Sequence, residues 1–283
     1  MGKAKHRSLR RNAGNGSTVG LLKMDCAGST AGRRRERDAI QIAGDYQARA
    51  LKSDRLAQRF WHEAKFRLIK RVAMPGPADR VLDAGCGSGT ISHFLAQHAA
   101  HVVGADSNPE AIAFARNSFT LSNLEFALGQ FEKLLRFDLF DWIYSIEVIE
   151  HLYHEQVIDV LSLFKKLAKP GGHLFLTTPN YRSLWPVVEW SLDRFKLVPN
   201  LSEGQHVSHF SKALLKESCE QAGWKVEQIG TFNGAAPFIA PLSYRLALAF
   251  EKWEHTWRLY LPGHLLFCIC RNESVRSPAQ RSE

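Results

Sequence analysis

Residues 81–89 read VLDAGCGSG, which is an apolar segment, an acidic residue and a glycine-rich turn in succession. The first two residues are typical of the end of a buried strand, and the alternating glycines let the backbone turn sharply without Cβ atoms in the way. From Thr90 onward the apolar residues follow the spacing of a helix. Because the turn lies between a predicted strand and a predicted helix, the segment predicts a cofactor-binding loop in an α/β fold. The residues of this loop are Gly85, Cys86, Gly87 and Gly89.

Two features of the loop favour S-adenosylmethionine (SAM) over a dinucleotide as the cofactor. Asp83 lies two residues before the first glycine, where its carboxylate can hold the loop and bind the ammonium of a methionine group but would repel a pyrophosphate. The glycine spacing is GxGxG, which is shorter than the GxGxxG turn that presents a helix N-terminus to a pyrophosphate. HVVGAD (101–106) predicts a second strand, and the acid at its end, Asp106, can accept hydrogen bonds from both ribose hydroxyls or cap the next helix.

Three further motifs follow in order, and with them residues 60–271 resemble the class I SAM-dependent methyltransferases. ALGQFEKL (127–134) is similar to the loop after the third strand of that family. FDWIYSIEVIEHL (140–152) is similar to the fourth strand and its exit, and KPGGHLFLTTPN (169–180) is similar to the turn and fifth strand. Together these motifs are much more specific than the glycine loop alone.

The resemblance implies further cofactor contacts. Beyond the two acids and the loop residues, these are Ser107, Gln130, Phe131 and Ile146. Gln130 departs from the family pattern, which often has an acid beside the adenine amino group, but its amide carbonyl can accept the same hydrogen bond. On the helix before the first strand, related enzymes often supply a cation to the methionine carboxylate, and Arg67 or Lys65 is the candidate here.

The predicted elements give a Rossmann-like α/β fold. They are a helix at about 54–73, five βα units up to residue 179, a helix near 211–222, and strands near 225–232 and 264–271. Alternating strands and helices predict a mostly parallel sheet with helices on both faces, and the resemblance implies seven strands with the last one antiparallel. Residues 180–210 and 233–262 remain as a helical substrate cap, whose many aromatic residues suit an aromatic, isoprenoid or acyl-bearing acceptor.

The net charge of +9 is concentrated in residues 1–37, which contain ten Lys or Arg against Asp25 and Glu36. This segment carries +8, so the rest of the chain is nearly neutral at about +1. A basic tail without an apolar pattern is predicted to be disordered, and a neutral folded surface does not favour nucleic acid as a partner. The domain is therefore expected at 38–271, with a flexible C-terminal tail at 272–283 and a second candidate start of translation at Met24.

The cysteines and the hydropathy pattern indicate where in the cell the protein is expected. Five cysteines occur without a C-x-x-C pair, so reduced thiols in the cytoplasm are expected. The sequence contains no run of about 18 apolar residues, so a transmembrane segment is not expected. Peripheral contact with a membrane and the oligomeric state stay open.

Candidate catalytic groups follow the fourth strand in the sequence Glu147-Val-Ile-Glu150-His151. Methyl transfer to a hydroxyl needs positioning and a base, and His151 can act as that base, bind a metal or cap a helix. The Glu-x-x-Glu-His pattern resembles ubiquinone-biosynthesis O-methyltransferases and small-RNA 2′-O-methyltransferases, in which these side chains can hold a divalent ion. Since the motif is also widespread in relatives without a metal, no resident metal is predicted.

His206 and His209, in GQHVSHFSKALL (204–215), are two further catalytic candidates. An RNA methyltransferase would use a downstream histidine as a metal ligand, whereas in many small-molecule enzymes a similar stretch only opens a helix, here with Ser211 as N-cap. The sequence therefore predicts a SAM-dependent methyltransferase acting at oxygen on a small or lipid-like acceptor. The alternatives are an RNA 2′-O-methyltransferase that uses a divalent metal and a SAM-binding protein without catalysis.

Overall fold

The structure, a computed structural model, describes residues 43–194, 206–257 and 263–273. The predicted basic tail at 1–37 lies outside the described residues, as do parts of both cap segments and residues 274–283 of the predicted C-terminal tail. All described residues belong to one compact unit.

A seven-stranded sheet forms the centre of the described part of the chain. Its strands are β1 (Arg80–Ala84), β2 (His101–Asp106), β3 (Leu124–Leu128), β4 (Phe140–Ile146), β5 (Ala168–Pro179), β6 (Lys225–Phe232) and β7 (Leu265–Arg271). The order across the sheet is β3-β2-β1-β4-β5-β7-β6, with β7 antiparallel to both neighbours and the other adjacent pairs parallel. The predicted Rossmann-like fold with an antiparallel last strand is therefore confirmed.

Helices cover the sheet and form the described part of the cap. They are α1 (Tyr46–Leu51), α2 (Leu56–Val72), α3 (Thr90–Ala96), α4 (Pro109–Ser118), α5 (His154–Leu167), α6 (Trp185–Arg194), α7 (Lys212–Gln221), α8 (Ala236–Ile239) and α9 (Tyr244–Trp257), with short 3-10 helices at Phe131–Arg136 and Ile149–His151. The helices predicted at about 54–73 and 211–222 are α2 and α7. Within the described ranges, none of these helices has both the length and the apolar character needed to cross a membrane.

Two polar side chains fix where helices begin. The Asn108 side chain accepts hydrogen bonds from the backbone N–H groups of Glu110 (2.9 Å) and Ala111 (3.3 Å), so Asn108 is the N-cap of α4. Asp106 does not have that role. Ser211 accepts from the N–H of Leu214 at 3.2 Å and caps α7 as predicted. Each cap satisfies a backbone donor that the helix leaves without a partner.

Apolar residues on both faces of the sheet form the core, and β7 shows the alternation most clearly. Its even-numbered residues pack on the side of α5 and α7, and its odd-numbered residues pack on the side of α2 and α3. The first set is Leu266, Cys268 and Cys270, and the second set is Leu265, Phe267 and Ile269. All six are buried, so β7 contributes to both core layers, as expected for a strand with two covered faces.

The fold continues one residue past the predicted domain end at 271. The Asn272 side chain donates to the carbonyls of Lys165, Ala168 and Lys169 at 3.0–3.2 Å, and its backbone N–H donates to Gly172 at 2.8 Å. Asn272 thus connects β7 to the α5–β5 turn, and the domain boundary at 271 stays a prediction.

Candidate active site at the carboxyl ends of the strands

The candidate site lies where the direction of strand succession reverses. From β1 the chain continues to β2 and β3 on one side, and it then crosses to β4 and β5 on the other side. The connections that follow β1 and β4 therefore run to opposite sides of the sheet. Open α/β sheets bind their ligands at such a point, and we call this edge the crevice. Both the glycine loop and the Glu147–His151 segment leave the sheet at this edge.

The glycines of the loop are required by backbone conformation and by close packing. Gly85, Gly87 and Gly89 have φ values of 83°, 50° and 77°, which L-residues with a Cβ rarely adopt. A Cβ on Gly85 would lie 2.3 Å from a methyl group of Val148, just after β4. The backbone of the loop after β1 thus packs directly against Val148 in the turn after β4, with no room for a side chain at Gly85.

Asp83, just before this loop in β1, is connected by its side chain to helix α3. Its carboxylate is buried and accepts a hydrogen bond from Ser92 Oγ of α3 at 2.6 Å. Burial raises the pKa of Asp83 to about 7, although the Ser92 hydrogen bond opposes the shift. Support of the loop by Asp83 and a contact between Asp83 and the methionine ammonium both stay predictions.

Asp106 braces the loop from the end of β2. Its Oδ2 atom accepts the N–H of Gly87 at 2.8 Å, and its Oδ1 atom accepts the N–H of Asn108 at 2.8 Å. The side chain is partly exposed at the crevice and the following Ser107 is exposed. Because a carboxylate has about four lone-pair sites, Asp106 can still accept ribose hydroxyls while it supports the loop.

The residues predicted to contact adenine differ in their surroundings. The side chain of Gln130 is exposed, directly before the first 3-10 helix. The Phe131 ring packs edge-on against Phe164 of α5 with centroids 5.2 Å apart, and Ile146 is buried at the end of β4. Phe131 and Ile146 therefore belong to the core that borders the crevice, and Gln130 is the group with free access to a ligand.

Helix α1 covers the glycine loop and was not predicted, since six residues are too few for a periodic pattern. The Gln47 side chain lies against the loop, where its Oε1 atom is 3.4 Å from Ser88 Oγ and would be 2.8 Å from a Cβ on Gly87. The Tyr46 ring meets the His62 ring of α2 edge-on at 5.8 Å. Tyr46 and Gln47 therefore close the side of the crevice that faces α2.

A buried ion pair lies at the exit of β4. The Lys65 ammonium of α2 is 2.5 Å from Glu147 Oε2, and the Lys65 side chain is only 5% exposed. Glu147 has a left-handed φ of 56°, a strained conformation that is typical of functional sites. The Glu147 Oε1 atom is buried without a hydrogen-bond partner among the described residues. Burial and the nearby Lys65 hold the pKa of His62 well below its usual value, so His62 is neutral.

The structure places Arg67 away from this edge. Its guanidinium donates to Glu251 of α9 at 2.6 Å and to Glu63 at 3.2 Å, and it lies over the Phe60 ring at 4.2 Å. Residues two apart on a helix point in very different directions. Arg67 therefore connects α2 to the cap, whereas Lys65 pairs with Glu147. Arg67 as a cofactor contact stays a prediction, and Lys65 is the cation that lies beside Glu147 at the exit of β4.

Glu150, His151 and His206 form one polar cluster, in which one ligand atom from each side chain lies within 4.8 Å of the others. Glu150 is buried and accepts a hydrogen bond from Thr178 Oγ1 at 3.1 Å. Burial raises the pKa of Glu150, although the two histidines oppose the shift. The His151 and His206 rings lie 5.1 Å apart. Two imidazoles and a carboxylate can take up the proton of an acceptor or hold a divalent ion.

The backbone of the same cluster positions His206. The Glu150 carbonyl accepts the N–H groups of Val207 (2.9 Å) and Ser208 (3.0 Å), and the Tyr181 hydroxyl lies 3.1 Å from His206 Nδ1. His209 instead stacks on the Tyr181 ring at 3.9 Å and is exposed. The structure therefore brings His206 together with the predicted pair Glu150 and His151, and it leaves His209 and the paired Glu147 outside this cluster.

A continuous run of rings leads from the cap to His151. Trp61 of α2 contacts His264 (6.1 Å) on one side and Trp185 of α6 (5.4 Å) on the other. Trp185 contacts His206 at 6.4 Å, and His206 contacts His151 at 5.1 Å. The sequence places Trp61 on a predicted helix and His264 on a predicted strand, but no local pattern indicates that they meet.

Comparison with known proteins agrees with this geometry. Residues 53–229 match the model of a family described as a methyltransferase domain. A ubiquinone biosynthesis O-methyltransferase from Hahella chejuensis is 32% identical over 146 residues, which are 46% of this chain and 60% of that protein. A probable S-adenosylmethionine-dependent methyltransferase from Mycolicibacterium smegmatis is 29% identical over 180 residues, which are 63% of this chain and 65% of that protein. The matches thus span less than two thirds of either relative.

A solved structure supports the fold independently. The crystal structure of a SAM-dependent methyltransferase from Archaeoglobus fulgidus superposes with a TM-score of 0.54 at 20% identity, over 78% of this chain and 96% of that chain. At this level of identity the likeness concerns the fold.

Proposed function

Because this chain belongs to the methyltransferase-domain family, as a class I enzyme with SAM as its cofactor, we propose that it transfers a methyl group to a hydroxyl of a small, largely apolar acceptor. The observation that carries the proposal is the run of rings that ends at His151. An acceptor that lies along Trp61 and Trp185 would meet aromatic faces first and an imidazole last. This arrangement suits a planar or isoprenoid molecule that bears one reactive hydroxyl.

Two further observations support this acceptor class. The relatives named as ubiquinone biosynthesis O-methyltransferases favour oxygen as the acceptor atom. The chain outside residues 1–37 is nearly neutral, so it offers little of the attraction that RNA phosphates require.

The residues of the crevice have distinct parts in the proposed mechanism. Bound SAM supplies an activated methyl group on a sulfonium, so the protein needs mainly to orient the two reactants. The glycine loop and Asp106 hold the nucleoside, and Lys65 with Glu147 forms the polar wall beside α2. His151 or His206 takes the hydroxyl proton, while Glu150 stabilises the resulting imidazolium. Trp61 and Trp185 exclude water from the acceptor.

The test uses the full chain, SAM with a labelled methyl group, and cell extract separated into lipid, small-molecule and RNA pools. We expect label in the lipid or small-molecule pool and not in RNA. His151→Ala should lower the labelling. His154→Ala is its matched control, because His154 is an exposed histidine three residues from His151. Label that enters only RNA would contradict the acceptor class. SAM binding without transfer to any pool would favour the non-catalytic alternative.

The cluster of Glu150, His151 and His206 also supports a second candidate, an RNA 2′-O-methyltransferase that uses a divalent metal. These donors fit a divalent ion, since they combine two imidazoles with one carboxylate within 4.8 Å. Glu147, the fourth residue that such a site would use, is paired with Lys65 instead. Removal of divalent ions by a chelator separates the candidates, because only the RNA activity would depend on Mg²⁺ or Mn²⁺ and favour RNA 3′ ends.

A further inference from the structure

A second group of potential ligands lies on the far side of the core from the crevice residues of α2. Cys219 of α7 and Cys268 and Cys270 of β7 have their sulfur atoms within 4.8 Å of one another. The Sγ atoms of Cys268 and Cys270 are 3.4 Å apart. All three residues are fully buried and carry free thiols.

The strand periodicity explains why these cysteines meet. Residues two apart on a strand point to the same face, so Cys268 and Cys270 both face the helical layer that contains Cys219. Their sheet partners are Leu176 and Ile229 for Cys268, and Leu174 and Val226 for Cys270. The three sulfurs therefore lie together within a largely apolar layer.

The spacing of the sulfurs fits an ion at their centre. With a metal–sulfur distance of about 2.3 Å, three sulfurs in a plane around one ion lie about 4.0 Å apart. The separations here are compatible with that value, since the Cys268 and Cys270 sulfurs are 3.4 Å apart and all three sulfurs lie within 4.8 Å of one another. Soft thiolates select soft ions. Among the described residues, no carboxylate or imidazole joins this group to complete a four-ligand site for zinc.

We propose that Cys219, Cys268 and Cys270 form a three-thiolate site for a soft, low-coordinate metal ion of the Cu⁺ or Cd²⁺ type. Binding replaces three S–H bonds by three metal–sulfur bonds and releases three protons to solvent, with no change in oxidation state. The ion would tie α7 to β7. Since α7 follows directly after the segment that carries His206, it would also stabilise one side of the crevice.

The site is tested with Cd²⁺ on the full chain, reduced with a phosphine and refolded with or without the metal because the thiols are buried. We expect one equivalent of Cd²⁺, seen as sulfur-to-metal charge transfer in the ultraviolet. At a concentration about 100 times its Kd, the metal should raise Tm by roughly 5–10 °C. The Cys219→Ala and Cys268→Ala variants should no longer bind this equivalent of Cd²⁺. The matched control combines Cys26→Ala with Cys86→Ala, which removes the two other cysteines of the chain. This control should still bind one equivalent of Cd²⁺.

X-ray absorption of the Cd²⁺-loaded wild-type chain keeps the proposal testable if the alanine variants do not fold. Three sulfur neighbours around cadmium are expected. Fewer than three sulfurs, or loss of the equivalent in the Cys26/Cys86 control, would overturn the assignment. A disulfide from Cys219 to either strand cysteine in freshly isolated protein would also overturn it, in favour of a redox pair.

Discussion

Replacement of Lys65 by methionine should destabilise the protein by about 3–4 kcal/mol. The Lys65 ammonium lies 2.5 Å from Glu147 Oε2, with side-chain exposures of 5% and 26%. At an effective dielectric constant of about 20, Coulomb attraction at this distance is about 6–7 kcal/mol, and the desolvation of both charges offsets several kcal/mol of it. Removal of one partner of a buried pair typically costs about 3–5 kcal/mol. Water reaches a quarter of the Glu147 side chain, so the lower part of that range applies.

A double-mutant cycle isolates this pair. Lys65→Met, Glu147→Gln and the double variant are unfolded in urea, and the coupling energy is obtained from the three changes in unfolding free energy. We expect a coupling of about 2 kcal/mol, so the double variant should be more stable than the sum of the single changes predicts. Lys70→Met, at an exposed position of the same helix, should change stability by less than about 0.5 kcal/mol. A coupling below about 0.5 kcal/mol would refute the buried pair.

Three further predictions concern the crevice. Asp106→Ala should weaken SAM binding by about 1–3 kcal/mol in calorimetry, because charged hydrogen bonds to the ribose would be lost, and binding of NADH instead of SAM would reject the assigned cofactor. His151→Ala should lower turnover by roughly 10²–10⁴-fold with SAM affinity nearly unchanged, and full activity would remove His151 from the mechanism. The pKa of Asp83 is raised from 3.8 to about 7 in the folded chain, so the unfolded chain releases this proton first and stability should fall as pH rises through that window. Asp83→Asn should reduce the pH dependence of the unfolding free energy, measured by urea titrations at several pH values. If that dependence is unchanged in the variant, it arises from other groups.

The sheet was predictable because its signals are local. A run such as HVVGAD specifies a strand by its own composition, and the alternation with helical segments implies parallel pairing. The glycines of the loop are equally readable, since their positive φ values follow from the need to turn without a Cβ. Asp83 and Asp106 could be located for the same reason, as the acids at or next to the carboxyl ends of two adjacent strands.

The pairings across the site could not be read from the sequence. Lys65 and Arg67 are both cations on one predicted helix, and only packing against α9 decides that Arg67 pairs with Glu251 while Lys65 pairs with Glu147. His206 and His209 are three residues apart, yet two backbone hydrogen bonds to the Glu150 carbonyl select His206 for the polar cluster. Cys219 lies about 50 residues from the strand cysteines that it meets, and no spacing rule connects them.

We propose that the protein transfers a methyl group from SAM to the oxygen of a small apolar acceptor. The most direct measurement is NMR of the product isolated after incubation of the full chain with extract and SAM that carries an isotopically labelled methyl group. A labelled methoxy carbon on an apolar small molecule, formed equally with and without a chelator, is the predicted result. Label found as ribose 2′-O-methyl groups in RNA, and lost in chelator, would contradict the claim.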